Sequence, residues 1–191
     1  MLKKLFVTMA LVGVTAYSYG QGTVNFDTKA VNAKVFLPTT SSPANTPAAG
    51  TGFWAQLYAA AGVNAPAETL AKAGSPVNLR GGGNAGFVVI SGGSTVTVPT
   101  TTPGGSSTVQ LRAWSANADS YELAIGQAGK MWGASDTLIL TSTGNSAAEP
   151  PTTPVDLTGL SNVQLLEVPE PSTIALGVLG AAALAFARRR K

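Results

Sequence analysis

Cysteine and histidine are both absent from the 191 residues, and charged side chains make up only 11% of them. Without Cys there is no thiol nucleophile, no disulfide frame and no Cys-ligated zinc. Without His, the usual neutral-pH general base and the commonest metal ligand are both missing. The composition therefore implies no cofactor. The formal charge of +3 and the pI near 9.3 suggest a polyanion partner, but the positions of the charges do not. Six of the twelve basic residues are Lys3, Lys4, Arg188, Arg189, Arg190 and Lys191. Residues 21–168 hold six cations against eight anions, leaving −2. No basic patch faces a phosphate backbone, which excludes nucleic acid as a partner. No tandem repeat is present either.

What the chain does have is concentrated at its two ends. Lys3 and Lys4 precede a largely apolar run of twelve residues, 5–16, and the segment closes on Ser18-Tyr19-Gly20 before Gln21. A cationic start, a short apolar run and small residues at −3 and −1 describe a signal peptide, residues 1–20, cut by signal peptidase between Gly20 and Gln21. At the other end, residues 174–187 are fourteen uncharged, mostly apolar residues, or about 21 Å of helix. Ser172 and Thr173 lengthen it to about 24 Å, against roughly 30 Å of hydrocarbon. Residues 172–187 are therefore expected to be a transmembrane helix of marginal length, with snorkelling of Arg188 closing the gap. The cluster Arg188, Arg189, Arg190 and Lys191 stops transfer and stays cytoplasmic, leaving the body outside the inner membrane.

Before that apolar run stands Val168-Pro169-Glu170-Pro171-Ser172-Thr173. A Pro-Glu-Pro turn, an apolar segment and a basic cluster in this order resemble the PEP-CTERM sorting signal, also called the ice-binding protein C-terminal domain. The resemblance covers residues 169–191. It implies an exosortase substrate: recognition by a multi-spanning membrane enzyme, cleavage near Pro169, Glu170 and Pro171, and release or attachment outside the cell. It also implies a Gram-negative, exopolysaccharide-producing bacterium. Sorting is what it implies, not an activity of the body.

From Gly22 onward, short β-like runs alternate with Gly, Pro, Thr and Ser. The expected strands are 23–26, 31–37, 53–59, 86–90, 95–98, 108–115, 137–141 and 163–168. In the sixth, Val109, Leu111 and Ala113 oppose Gln110, Arg112 and Trp114; in the third, Phe53, Ala55, Leu57 and Ala59 oppose Trp54, Gln56 and Tyr58. Such alternation predicts a sheet with two unlike faces. The fold class expected is all-β, an antiparallel β-sandwich or jelly-roll-like ectodomain over residues 21–168, flanked by a signal helix and a transmembrane helix. One connecting helix is expected at 120–129. Stretches 38–50, 99–107 and 147–154 are Pro/Thr/Ser/Ala-rich and read as exposed loops. The runs 22–26, 55–58 and 109–114 also resemble small secreted proteins that carry this tail, a group that implies a strand framework and nothing catalytic.

Candidate sites in the body are sparse. The run from Gly81 to Gly86 is glycine-rich but leads into an expected strand at Phe87, whereas a phosphate loop needs a helix there; a turn is the reading. Asn117, Asp119 and Glu122 offer oxygens as a calcium loop does, yet the spacing lacks the Gly and distant Glu of an EF-hand. Capping of a helix by Asp119 or Ser120 is simpler. Trp54, Tyr58, Trp114 and Trp132 are either an aromatic platform for sugar rings or sandwich core, with core the simpler account. Thr39-Thr40, Thr100-Thr101-Thr102 and Thr152-Thr153 sit in Pro-broken loops and do not form the regular flat array ice binding requires. Glycoside hydrolysis needs two carboxyl groups flanking one bond, and no motif selects a pair among the scattered acids. The reading is a non-enzymatic secreted or surface protein associated with the envelope or an extracellular polysaccharide matrix. A carbohydrate-binding module is the alternative, and a sandwich-fold glycoside hydrolase the third.

Overall fold

Two nine-residue strands organise the body, β3 (Phe53–Ala61) and β6 (Ser107–Ser115), antiparallel along their whole length from Phe53↔Ser115 to Ala61↔Ser107. They belong to a computed structural model that describes residues 21–90 and 93–168. Their period-two pattern acts as expected: Ala55, Leu57, Ala59, Val109, Leu111 and Ala113 all enter one buried cluster, and the alternate residues face away from it. Beyond β3 lies β4 (Ala71–Asn78), antiparallel with a bulge between Ala55 and Leu57. On the other side of β6, two short strands share its edge. β7 (Met131–Ala134) pairs near Arg112–Trp114 and β8 (Leu138–Leu140) near Ser107–Val109. β11 (Leu166–Glu167) closes this six-stranded sheet by pairing with β7.

Two smaller sheets complete the core. β1 (Thr23–Asn25) lies between β5 (Thr95–Thr97), antiparallel, and β9 (Val155–Asp156), parallel. β2 (Val35–Phe36) pairs in parallel with β10 (Val163–Gln164). Val24, Val96, Val35 and Val163 from these sheets join Leu57, Val109 and Leu111 from the large one in a single cluster. Gly133 permits the approach: a Cβ there would stand 2.5 Å from the Gln164 carbonyl oxygen and 3.0 Å from the Val163 side chain.

All-β is what the structure shows, with most pairings antiparallel. The two parallel pairings correct the all-antiparallel expectation. Parallel neighbours need a long connection between them, and here more than a hundred residues separate β1 from β9 and β2 from β10. Further corrections have local causes. Expected strand 31–37 shrinks to β2 because Asn32 turns at φ 56°, its N–H bonding to Lys29 O. Expected strand 86–90 forms no ladder: Val88 N–H bonds to the Thr28 hydroxyl, and the Phe87 and Val88 carbonyls accept from Arg80 and Thr28 N–H. Expected strand 163–168 breaks at Leu165, whose N–H goes to Phe36 O while Leu166 already pairs with Trp132. That break carries the chain from one sheet to the other. The loops are not wholly exposed either, since Ala48 and Thr101 are buried.

The expected helix 120–129 is α1 (Tyr121–Gly126). Ser120 caps it, its Oγ accepting the Leu123 N–H at 3.3 Å. The signal segment 1–20 and the expected membrane helix 172–187 lie outside the described residues. Among the described residues no helix is long and apolar enough to cross a membrane.

Candidate functional site

The outward face of the six-stranded sheet carries the chain's most distinctive side chains. Register places Trp54 opposite Trp114 and Trp114 opposite Trp132, with Asn78 and Leu166 at the two ends of the row. The next row is Gln56–Arg112–Ala134, and the one beyond is Lys72–Tyr58–Gln110. α1 covers these rows. Tyr121 reaches down to meet Tyr58, Trp114 and Trp132, with ring centroids 6.1, 6.4 and 6.1 Å away and tilted to edge-on geometry. Such contacts add about 0.5–1.5 kcal/mol each beyond area burial.

Arg112 is the cation at the centre. Its guanidinium lies 4.1 Å from the Tyr58 ring centroid and 5.1 Å from that of Tyr121. Nε donates to Gln110 Oε1 at 2.9 Å, and Nη2 donates to Ala67 O. Gln110 in turn donates to Ser135 O at 2.8 Å, and Trp114 Nε1 to Ala118 O at 3.2 Å. Beside them, Glu122 accepts the Tyr58 hydroxyl at 2.6 Å on one oxygen and stands 3.1 Å from Lys72 on the other. Burial alone would raise the Glu122 carboxyl. The donors around it, Tyr58 foremost, with its own backbone N–H, Lys72 and Ser120, overcome this and hold it down at about 2. Burial, and then the anionic Glu122, push the Tyr58 hydroxyl well above its usual range, against the opposing pull of Arg112. The Tyr121 hydroxyl is raised by burial too.

Tyr58, Glu122, Lys72, Arg112, Gln110 and Trp114 all find polar partners inside the protein, so the arrangement acts as a clamp. It fixes α1 and the segment around Ala67 to the sheet. The expected aromatic set is brought together, but Tyr58 and Trp114 are buried, Trp54 and Trp132 only half-buried, and no described aromatic is exposed. Sequence reasoning left Arg112, Tyr121 and Lys72 out of the site. One signal was available for Arg112: a lone cation centred in an apolar strand, on the same face as the Trp residues. Of the 117–122 stretch, Ser120 caps α1, Glu122 belongs to the clamp, and Asn117 O accepts from Lys130 Nζ at 2.8 Å. Among the described residues no group of three or more acidic side chains gathers as a metal site would require.

A cleft of about 610 Å³ opens elsewhere, lined by Gly50, Thr51, Val77, Asn78, Leu79, Arg80, Gly81, Val89 and Ile90. Arg80 is its one ionisable lining group, and its Nε donates to Val89 O at 2.9 Å. The glycine-rich run forms a short 3₁₀ turn (Gly82–Asn84) beside this cleft, not a helix start.

The residues that addressed the chain lie elsewhere. Gly20, Pro169, Glu170, Pro171, Arg188, Arg189, Arg190 and Lys191 are outside the described residues, while Gln21 is described and exposed. The described body is thus an all-β unit, with Glu167 in β11 and Val168 hydrogen-bonded to Lys130 and Gly129. Residues 167–191 match the family model of the PEP-CTERM protein-sorting motif. The chain carries that motif, which supports an exosortase-sorted surface protein. Searches of curated proteins and of solved structures returned no match.

Proposed function

We propose that the chain is the precursor of a non-enzymatic surface protein whose tail is an exosortase substrate. In this reading, signal peptidase removes residues 1–20. Residues 172–187 then hold the body outside the inner membrane, with Arg188–Lys191 in the cytoplasm. A cut near Pro169–Pro171 passes the all-β body to the cell surface or the exopolysaccharide matrix. The observation that carries the reading is the motif match over residues 167–191. One feature of the body supports it: the described residues 21–90 and 93–168, which lie between the two proposed cuts, share one hydrophobic core built from all three sheets.

The test is expression of the full chain with and without a matching exosortase. With the enzyme, the membrane form should lose mass near Pro169–Pro171 and begin at Gln21. Glu170→Ala should block that step while leaving the folded body unchanged. Normal release of the variant would overturn the reading. Turnover of a polysaccharide, abolished by changing one Asp or Glu, would overturn its non-enzymatic part. The carbohydrate-binding reading gains nothing from the aromatic face, because α1 already occupies it.

A further inference from the structure

The sorting motif and the fold overlap. The family match begins at Glu167, and Leu166 and Glu167 form β11 against Trp132 and Met131 of β7. Val168 extends the hold: its N–H bonds to Lys130 O at 2.9 Å, and its carbonyl accepts the Gly129 N–H at 3.0 Å. Gly129, at φ 71°, and Lys130 lie in the turn between α1 and β7. Residues 167 and 168 therefore belong both to the matched motif and to the backbone bonding of the body.

Burial changes abruptly just before this overlap. Leu165 is fully buried in the main cluster, and its N–H bonds to Phe36 O at 2.9 Å. Leu166 is then 52% exposed, Glu167 is exposed and Val168 half-buried. A two-residue edge strand with so little buried apolar surface is held mainly by its backbone bonds. Such segments open locally at a much lower free energy than the core, and Leu165 is where opening would stop. Extended peptides are recognised through main-chain hydrogen bonds supplied by the partner. An amide has one N–H to donate, so Val168 cannot bond to Lys130 and to an enzyme at once.

We propose that the β11–β7 pairing is a latch on the sorting site: residues 166–168 must peel from β7, hinged at Leu165, before an exosortase can cut near Pro169–Pro171. This rests on the reading of the tail as an exosortase substrate cut near its Pro-Glu-Pro. A cut there requires the enzyme to hold the residues immediately before it, which are those of β11 and Val168. The closed strand and the enzyme compete for the same backbone groups. The rate of the cut then follows the fraction of chains whose latch is open.

The absence of native cysteine lets one engineered disulfide hold the latch shut. Glu167 and Met131 are direct partners across the antiparallel pair, a separation that a disulfide accepts. The full-length Glu167→Cys/Met131→Cys chain, in membranes with a matching exosortase, is followed for loss of mass in its oxidised and reduced forms. Wild type goes through the same redox treatments, and Glu167→Cys alone reports any direct reading of that side chain. The oxidised form should be cut about tenfold more slowly than the same chain reduced. Equal rates, or a faster cut when oxidised, overturn the latch. Leu166→Pro lies before the matched residues and removes a ladder donor. It should be cut about threefold faster while tryptophan fluorescence shows the body folded; an unchanged or slower cut also overturns the proposal. Wild type left uncut by the enzyme fails the sorting reading itself, and the latch with it.

Discussion

Replacing Glu122 by Gln removes a charge from the clamp while keeping its shape. The carboxylate takes the Tyr58 hydroxyl at 2.6 Å and lies 3.1 Å from Lys72. A hydrogen bond to a charged acceptor contributes about 1.5–3 kcal/mol and a neutral one about 1. An exposed ion pair adds about 0–1 kcal/mol, and an acid in the first turn of a helix about 0.3–1. The Glu122 and Lys72 side chains are 49 and 50% exposed, so solvent screening keeps the total loss near 1.5 kcal/mol at pH 7. For a body of this size that is a fall in Tm of about 4 °C. The pH dependence sharpens the test. Despite burial, which raises it, the folded carboxyl is held at about 2, below the ordinary 4.5. A depressed carboxyl stabilises fully above its unfolded pKa, and this contribution is lost as pH falls through the folded one. The gap between wild type and Glu122→Gln should therefore be full at pH 6–7 and close between about pH 5 and pH 2. Urea unfolding of residues 21–168, followed by tryptophan fluorescence at several pH values, reads it. A gap that stays constant down to pH 2, or a variant more stable at pH 7, would refute the reasoning.

Three other outcomes are expected. Arg112→Ala should lower stability by about 2–3 kcal/mol, since it removes a cation stacked on two Tyr rings and the bond to Ala67 O; the urea midpoint measures it. Gly133→Val should cost about 3 kcal/mol or prevent folding, because its Cβ would strike the Gln164 carbonyl; a variant with wild-type Tm would contradict the packing of β10 on β7. Residues 21–168 alone should be soluble and give a β-dominated circular dichroism spectrum, and a helical one would contradict the fold.

Much of the large sheet was legible in the sequence because both its central strands alternate cleanly. Val109, Leu111 and Ala113 against Gln110, Arg112 and Trp114 name the two faces, and the cap at Ser120 names the helix start. β4 was not legible. Its Ala71–Asn78 stretch contains Gly74, at φ 71°, and Pro76, and it is held to β3 across a bulge with the Gln56 amide on Gly74 O at 2.6 Å. β7 was hidden because four residues around Gly133 show no period, and β9 because Val155 and Asp156 follow a proline-rich loop. Both depend on partners distant in sequence, which no local pattern encodes. The same holds for the clamp: four of its aromatics were visible, but Tyr121 entered it from a helix and Lys72 from a strand without alternation. The sorting motif, by contrast, was legible as a motif, matched over residues 167–191, because it is written in linear order and not in packing.

The parallel pairings also set a schedule. β1 takes its neighbour β9 from residues 155–156, and β2 takes β10 from residues 163–164. A chain threaded across a membrane amino end first delivers β1 and β2 early and must wait for their partners until nearly the whole body has emerged. Contacts so far apart in sequence are slow to form and leave earlier segments unpaired meanwhile. β3 and β6 can zip together sooner, but Val24 and Val35 reach their final neighbours only when the residues just before the sorting motif arrive. Completion of the fold and presentation of the tail thus become nearly the same moment, which ties the time of sorting to the finishing of the body it sorts.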